Sequence, residues 1–576
     1  MKIFKNKITG IFVAVCLLFG SCTDLSETVY DRLTDDTIDI NDPEVLGAQM
    51  GKAYSQLLLV YWTWEGYFDL QEECSDTYMT PERIGVGWGA QYIPMHKHTW
   101  VSSAERHPWH VWQHAYEGIG YANKALDILP AEGNPQAQMR FLRALKYYLL
   151  LDAFRWVPLE LTQDIEPGYL PEQVSPETLF AFCVSELEAI KDDLGKEKYF
   201  GIPNRWAACM TLAKLYLNYY SYFPNETGTE YYEKALAEVE EVLKDGGYAL
   251  APNYLDNFKR DINDSPEVIF AIPQHVVYAR FNYLSNKCLT ASGAAAYGFL
   301  SEPWNGSCAV PNFLESYQAG DKRLRQTWTW GVQRYYTEDG GPQSGAPIAE
   351  TTHDGTGAGV LNYSVHVNSI DNPGGYFQQG ARFVKSQIYP DNFGAGANDV
   401  AFYRLADAMF IKAECLLRLG RDKQTAADLV SQVRARSFES PAQALRTVAD
   451  LEGGSRYPYG FRENTRDTWL YAPYTNLTPA GVPTPPMDFY TEYTFEGGDD
   501  IILGGLLDDL GWEFVGEHHR RQDLIRFKMT DGRNVFNGKS WFCKRATTET
   551  YWDYFPIPQP AREANIKLFQ TEGYQE

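Results

Sequence analysis

From Gln138 to Trp156 the chain reads QMRFLRALKYYLLLDAFRW. Apolar side chains at Phe141, Leu142, Ala144, Leu145, Tyr148, Leu149, Leu151, Ala153 and Phe154 cover most of a helical circumference. A helix apolar nearly all round is buried, not laid on a surface. The stretch holds no Gly or Pro, and its Leu, Ala, Lys and Arg are strong helix formers. Pro135 precedes it and Pro158 closes it. Arg143, Lys146, Asp152 and Arg155 interrupt it too often for a membrane span. The pattern predicts the central helix of a large helical scaffold.

Helical periodicity recurs on both sides of this stretch. It predicts helices over 43–59, 109–129, 176–194, 204–222 and 230–244, the last stopped by Gly246-Gly247. Further helices are predicted over 399–419, 424–436 and 506–527. Short connections between paired helices suggest a tetratricopeptide-like array, although no exact repeat consensus is visible. From 282 to 398, and again around 441–500, the texture turns to Gly, Ser, Asn, Tyr and Pro. Such stretches are too long for ordinary loops and read as an irregular, function-bearing face. The fold class is therefore mainly α: a helical-repeat scaffold at about 40–280, 399–436 and 506–527, with one large loop-rich face.

The first residues change the picture. Lys2, Lys5 and Lys7 precede an apolar run from Ile8 to Phe19, then Gly20-Ser21-Cys22. This is a leader pattern for 1–21, too short to span a bilayer comfortably. Small residues leading into a cysteine resemble a bacterial lipoprotein cleavage box, which would make Cys22 the lipidated N-terminus, with several acyl chains for stable anchoring. Residues 22–576 then form one mature domain. The chain carries a formal net charge of -24, and the leader holds three lysines and no acid, so the remainder is more acidic still. Such a body attracts neither nucleic acid nor an anionic membrane surface. Of nine cysteines, Cys16 leaves with the leader and Cys22 takes the lipid. The other seven show no CxxC spacing, so they read as buried thiols and not as a zinc site.

Metal and catalytic patterns are weak throughout the chain. His107, His110 and His114 contain an i, i+4 pair, but no third ligand stands at a fixed spacing. His96 and His98 are weaker, and Glu517-His518-His519 lacks the two-His arrangement of a metalloprotease helix. Glu517, Arg520, Arg521, Asp523 and Arg526 read better as a structural ion network. Gly355, Gly357 and Gly359 imitate a phosphate loop without the flanking strand and helix. The pairs Asp499-Asp500 and Asp508-Asp509 are adjacent, whereas a glycosidase holds its two acids apart across the substrate. A structural calcium in the loop 261–267 has no EF-hand pattern behind it. The expectation is no metal, no cofactor and no catalytic residue.

What remains is binding. Aromatic residues make up 15% of the chain, with 15 Trp and 39 Tyr. Rings stack on the apolar C–H faces of sugars while amide, carboxylate and guanidinium groups bond the hydroxyls. Two loop stretches supply both kinds of group: Arg83 to Tyr92, with Trp88, and Tyr297 to Asn305, with Trp304. Gly87 and Gly89 around Trp88, and Pro303 and Gly306 around Trp304, suggest indoles held outward without a surrounding core. Tyr78 and Trp100 belong to the same aromatic, Gly-rich loop as Trp88. Trp328 and Trp330 alternate, which reads as a half-buried strand.

Several stretches together resemble the SusD/RagB family of outer-membrane nutrient-binding lipoproteins. They are the cleavage box at Cys22, FLRALKYYLLLDAFRWVPL at 141–159, YYEKALAEVEEVLKDGGYAL at 231–250 and SPEVIFAIP at 265–273. FYRLADAMFIKAECLLRLG at 402–420, EFVGEHHRRQDLIRF at 513–527 and FPIPQPAREANIKLFQTEGY at 555–574 complete the set. The resemblance implies a tetratricopeptide-like scaffold with one irregular face, and no catalysis. It implies a surface-exposed outer-membrane lipoprotein that caps a SusC-like TonB-dependent transporter and passes it an oligosaccharide or polysaccharide. By region, it places ligand contacts at Trp88, Tyr297, Trp304, Arg83, Tyr92 and Asn305. A lipoprotein glycoside hydrolase, a helical adaptor that binds only protein, and a binder of another nutrient such as peptide remain the competing readings.

Overall fold

The computed structural model describes residues 43–83, 85–101, 106–162, 166–351, 358–372, 377–390, 393–466, 476–543, 545 and 549–574. The predicted leader, Cys22, and Gly355 and Gly357 lie outside the described residues. The chain divides into two compact units, Met1–Gly47 and Ala48–Glu576. The first is described only from Pro43 onward; the helical scaffold and its loop-rich face belong to the second.

The predicted helices are present, with shifted ends. In chain order come α1 (Pro43–Tyr61), α2 (Tyr67–Glu72), α3 (Gly89–Lys97), α4 (Arg106–Ile128), α5 (Asn134–Phe154), α6 (Pro176–Ile190), α7 (Arg205–Leu217) and α8 (Glu230–Asp245). Later come α9 (Leu284–Cys288), α10 (Leu405–Leu419), α11 (Lys423–Arg434), α12 (Gly504–Phe514) and α13 (Arg520–Arg526). Of these, α2, α3 and α9 form in stretches where the pattern predicted no helix. Successive helices pack on one another from α4 to α8, then α8 on α10 and α10 on α11. A short helix, Val448–Glu452, links α11 to α12; α12 packs on α13, α13 on α2, and α2 on α4. The series, α5 among its members, thus closes on itself. Ser175 caps α6 and Asn204 caps α7, each side-chain oxygen accepting a backbone N–H that the helix leaves unpaired.

Helix α5 is buried on every side, as its pattern requires: every residue from Ala137 to Phe154 except Arg140 is buried. Its polar residues are paired. Arg143 donates to Asn123 Oδ1 at 2.8 Å and Glu186 Oε2 at 2.7 Å. Asp152 accepts from Tyr67, Gln71 and Arg521 at 2.8 to 2.9 Å. Lys146 has one partner among the described residues, the Ala53 carbonyl at 3.0 Å, and its stem fills the space a Cβ on Gly118 would need.

Two boundaries differ from the pattern. The start of the predicted 399–419 helix is instead a strand, Val400–Arg404, paired antiparallel with Val268–Ile272. Its β-branched and aromatic residues suit a pleat. The predicted 506–527 helix is two helices, broken where Gly516 and His518 take positive φ. That break lets the ion network turn inward. Glu517 and Glu513 meet Arg404 at 2.7 and 2.9 Å, Arg520 meets Asp76 at 2.6 Å, and Arg526 meets Glu414 at 2.7 Å. All these groups are buried, and burying one charge without its partner would cost several kcal/mol. Asp508 and Asp509 are equally structural: Asp508 accepts from the Arg456 N–H at 2.7 Å and Asp509 pairs with Arg434 and Arg446. The loop-rich region is built of short hairpins and turns. In it Trp328 is fully buried beside Phe383, on a strand that ends at Thr329, and Trp330 is half-buried under Arg325.

Candidate functional site

The site grows from the turn between α1 and α2, Trp62-Thr-Trp64-Glu-Gly66. Gly66 caps α2, and a Cβ there would fall 2.4 Å from the Trp62 carbonyl, so only glycine fits. Glu65 sits at φ +67, held by its N–H bond to Asp69 Oδ2 at 2.8 Å. Thr63 Oγ1 donates to the Phe281 carbonyl at 3.2 Å and accepts from the Tyr283 N–H at 2.6 Å, which docks a second segment on this turn. A third segment is pinned to α9. The Trp304 N–H donates to Asn286 O at 2.6 Å, Asn305 to Leu289 O at 2.8 Å, and Gly306 to Lys287 O at 2.6 Å.

These three segments bring four half-buried aromatic side chains together. Trp64 lies 4.7 Å from Trp304 and 5.6 Å from Tyr283 between ring centroids. Tyr283 stacks on Trp304 at 5.3 Å and 23°. Trp62 packs edge-on to Trp64 at 5.2 Å, and His110 stacks on its face at 5.6 Å and 14°. The rings are locked by their neighbours yet half-open to solvent, so they form a rigid platform.

Beneath it lies a closed charge network. Lys287 Nζ is fully buried and meets Asp69 at 2.5 Å and Glu73 at 2.7 Å. Burial alone would depress the Lys287 amine, but the two carboxylates outweigh it and hold it above its ordinary value. Burial also works to raise Asp69, but Lys287 and His107 carry it below the usual range. For Glu73 burial wins and the carboxyl is raised despite Lys287. Tyr92 donates to Asp69 at 2.9 Å, and Ser307 and Thr80 donate to Glu73 at 2.7 and 2.8 Å. Glu65, raised by burial, is met by Arg106 at 2.9 Å. Each of these acids thus faces a cation, while Glu65 Oε1 and Glu73 Oε2 are buried without a hydrogen-bond partner among the described residues.

The structure redistributes the predicted contacts. Trp304 is one of the platform rings, against Trp64 and Tyr283. Trp88 is not displayed: it is 6% exposed, caps α3, and donates its indole N–H to the Trp304 carbonyl at 3.2 Å. Tyr92 is fully buried on the same helix, and Tyr78 and Trp100 are equally buried. Local sequence could not reveal this, because the α3 segment folds back under the platform instead of lining it. Arg83, 2% exposed, braces the loop from below, donating to Gly306 O at 3.1 Å and Gln379 O at 2.8 Å. Burial, with Arg382 close by, lowers its guanidinium to about 9. Asn305 is 7% exposed at φ +54, turning the chain after Trp304. Tyr297 is 8% exposed and belongs to a separate apolar cluster with Leu289, Phe299, Leu361 and Tyr363. Pattern reading missed Trp62, Trp64 and Tyr283. The signal was the alternation WTW directly after a helix end and before Gly66.

The histidines diverge. His107 faces Asp69 at 3.4 Å, His110 stacks on Trp62, and His114 meets Gln56 at 3.1 Å. Burial, with Arg106 nearby, lowers His110 to about 4. Among the described residues one trio, Cys209, Glu238 and Glu241, brings potential ligand atoms within 4.8 Å. Its carboxylates already hold Lys191 at 2.9 Å and Arg205. In the 261–267 loop, Glu267 is engaged by Arg404 and Arg436. Among the described residues no helix is long and apolar enough to cross a membrane.

Comparison with known proteins gives a consistent result. Residues 305–574 match the SusD family. The chain is 24% identical over 522 residues to the starch-binding protein SusD of Bacteroides thetaiotaomicron, covering 83% of this chain and 80% of that protein. A SusD superfamily protein from Parabacteroides distasonis superposes with a TM-score of 0.66 at 21% identity, covering 94% of this chain and all of the other. Surface glycan-binding protein A from B. thetaiotaomicron, in complex with laminarihexaose, superposes with a TM-score of 0.61 at 17% identity, over 92% of this chain and 99% of that one.

Proposed function

Since the chain is SusD-like in fold and sequence, we propose that it is a glycan-binding protein whose site is the Trp62–Trp64–Tyr283–Trp304 platform. The observation that carries this reading is the platform itself: four packed aromatic side chains, pinned from behind by backbone hydrogen bonds and left half-open. Every ~100 Å² of apolar surface left wet forgoes on the order of 2.5 kcal/mol of burial. A sugar face laid on the rings recovers part of it, and a rigid platform loses little entropy on binding. The names of two relatives, a starch-binding and a laminarihexaose-bound protein, favour a glucan or another neutral glycan over peptide.

In this reading the protein is a binder and not a hydrolase. The acids nearest the rings, Glu65, Asp69 and Glu73, are held by Arg106, Lys287, Tyr92 and hydroxyls, which leaves none of these three poised across a substrate. The protein is anchored by lipid at Cys22 to the outer membrane, faces the exterior, and hands its glycan to a SusC-like TonB-dependent transporter. The test is retention on immobilised starch, laminarin, xylan and galactomannan. Wild type should bind at least one of them without shortening it, and Trp304→Ala and Trp64→Ala should each weaken that binding about fivefold or more. Cleavage of any of these polymers, or retention unchanged in both variants, would overturn the reading.

A further inference from the structure

The chain reaches Tyr283 from a tight hairpin that buries nothing at its tip. His275 and Ala279 exchange backbone hydrogen bonds at 2.9 and 3.0 Å, and His275 Nδ1 accepts the N–H groups of Val277 and Tyr278. The His275 and Tyr278 rings stack at 4.9 Å and 15°. Tyr278 is nonetheless 84% exposed, so one face of its ring lies on the imidazole and the other is free. Arg280 braces the base, donating to Val276 O at 2.5 Å and to Phe393 O at 3.3 Å. Phe393 is itself 64% exposed.

The hairpin is tied to the platform through its neighbours. Gly394 N–H donates to Ser301 Oγ at 2.7 Å, and Asn282 pairs with Gly396. Ser301 lies three residues before Trp304 and Asn282 one before Tyr283. The hairpin base and the Phe393 segment are therefore hydrogen-bonded to the segments that carry Tyr283 and Trp304. Tyr283 lies five positions after Tyr278, a reach of at most about 18 Å.

A ring held in place on one face and open on the other, with a guanidinium beside it, offers a stacking face and hydrogen-bond donors together. From the stacked ring, the neighbouring guanidinium and the continuity with the platform, we infer that the His275–Tyr278 hairpin with Arg280 and Phe393 is an extension subsite for the same glycan. The ring takes a sugar face and Arg280 donates to hydroxyls. This rests on the glycan reading and adds to it that the ligand is an extended chain: short fragments fill the Trp304 platform, and longer ones also reach Tyr278.

The experiment measures affinity for size-graded hydrolysates of starch, laminarin, xylan and galactomannan, from two sugar units upward, with wild type, Tyr278→Ala, Phe393→Ala and Trp304→Ala. Wild-type affinity should rise with fragment length beyond the shortest that binds. Tyr278→Ala should abolish that gain, a loss of about five- to tenfold for long fragments, while short-fragment affinity stays at the wild-type value. Trp304→Ala should lose both. The subsite is overturned if Tyr278→Ala and Phe393→Ala match wild type at every length, the result expected of a protein-docking hairpin, or if the loss is equal for short and long fragments. If wild type retains no fragment of any length, the glycan reading fails and the subsite with it. If Trp304→Ala alone is silent, the hairpin does not extend the platform and the inference is overturned.

Discussion

Lys146 is the least compensated charge in the scaffold, and replacing it by Met should stabilise the protein. It lies fully buried in the middle of α5, and its one partner among the described residues is the Ala53 carbonyl, a neutral acceptor. Burial pushes its ammonium down from 10.5 to about 7, with no carboxylate to oppose the shift. In the unfolded chain the group titrates near its ordinary value, so at neutral pH folding must strip or strand a proton. At 1.36 kcal/mol per pKa unit, this costs roughly 4 kcal/mol. Methionine fills the same volume and forgoes one hydrogen bond worth about 1 kcal/mol, leaving a net gain of about 3 kcal/mol. The pH dependence gives a second handle. Between pH 7 and about 10 the unfolded wild type binds one more proton than the folded form, so its stability rises with pH at up to ~1.4 kcal/mol per unit. Lys146→Met lacks this contribution. Urea unfolding of both proteins from pH 6 to 10 should show the variant ahead at pH 7 and the gap closing toward pH 10. A variant less stable at pH 7, or a gap independent of pH, would refute the argument that desolvation dominates at this site.

Trp88→Ala should lower the unfolding midpoint strongly, by about 3–5 kcal/mol of stability, because the ring is core and its N–H positions the Trp304 carbonyl. Circular dichroism melts of this variant beside Trp304→Ala separate the two roles, and equal, small losses would show that Trp88 is a surface ring. Gly306→Ala places a Cβ 3.0 Å from Lys287 O and 3.1 Å from the Trp88 ring. It should shift the Trp304 loop and weaken polysaccharide retention several-fold with little change in melting temperature; unchanged retention means the loop yields without moving the ring. Cys22→Ala should release the protein from the membrane fraction into the soluble one, and a variant that stays bound would rule out anchoring through that cysteine.

The long scaffold helices were legible in the sequence because each carries its own signal, whereas the short α2, α3 and α9 were not. The all-apolar pattern of α5, the Gly246-Gly247 stop after α8 and the Gly420 stop after α10 are local features that the packing confirms. The ion network was legible for a related reason: charges such as Glu517, Arg520 and Arg526 on an otherwise apolar segment must be paired when buried. The platform was only half legible. Trp304 could be singled out from its Pro-Trp-Asn-Gly setting, but its partners are Trp62, Trp64 and Tyr283, from two other segments. They join it through bonds such as Thr63 to Tyr283 and Trp304 to Asn286. Which ring faces water depends on what packs behind it. Trp88 and Trp304 look alike in sequence, each flanked by turn residues. Tertiary folding put Trp88 beneath the loop, with its N–H on the Trp304 carbonyl, and left Trp304 half-open above it. Periodicity along one segment fixes which residues face a core, but exposure at a site built from three segments is set by long-range contacts that no single stretch encodes.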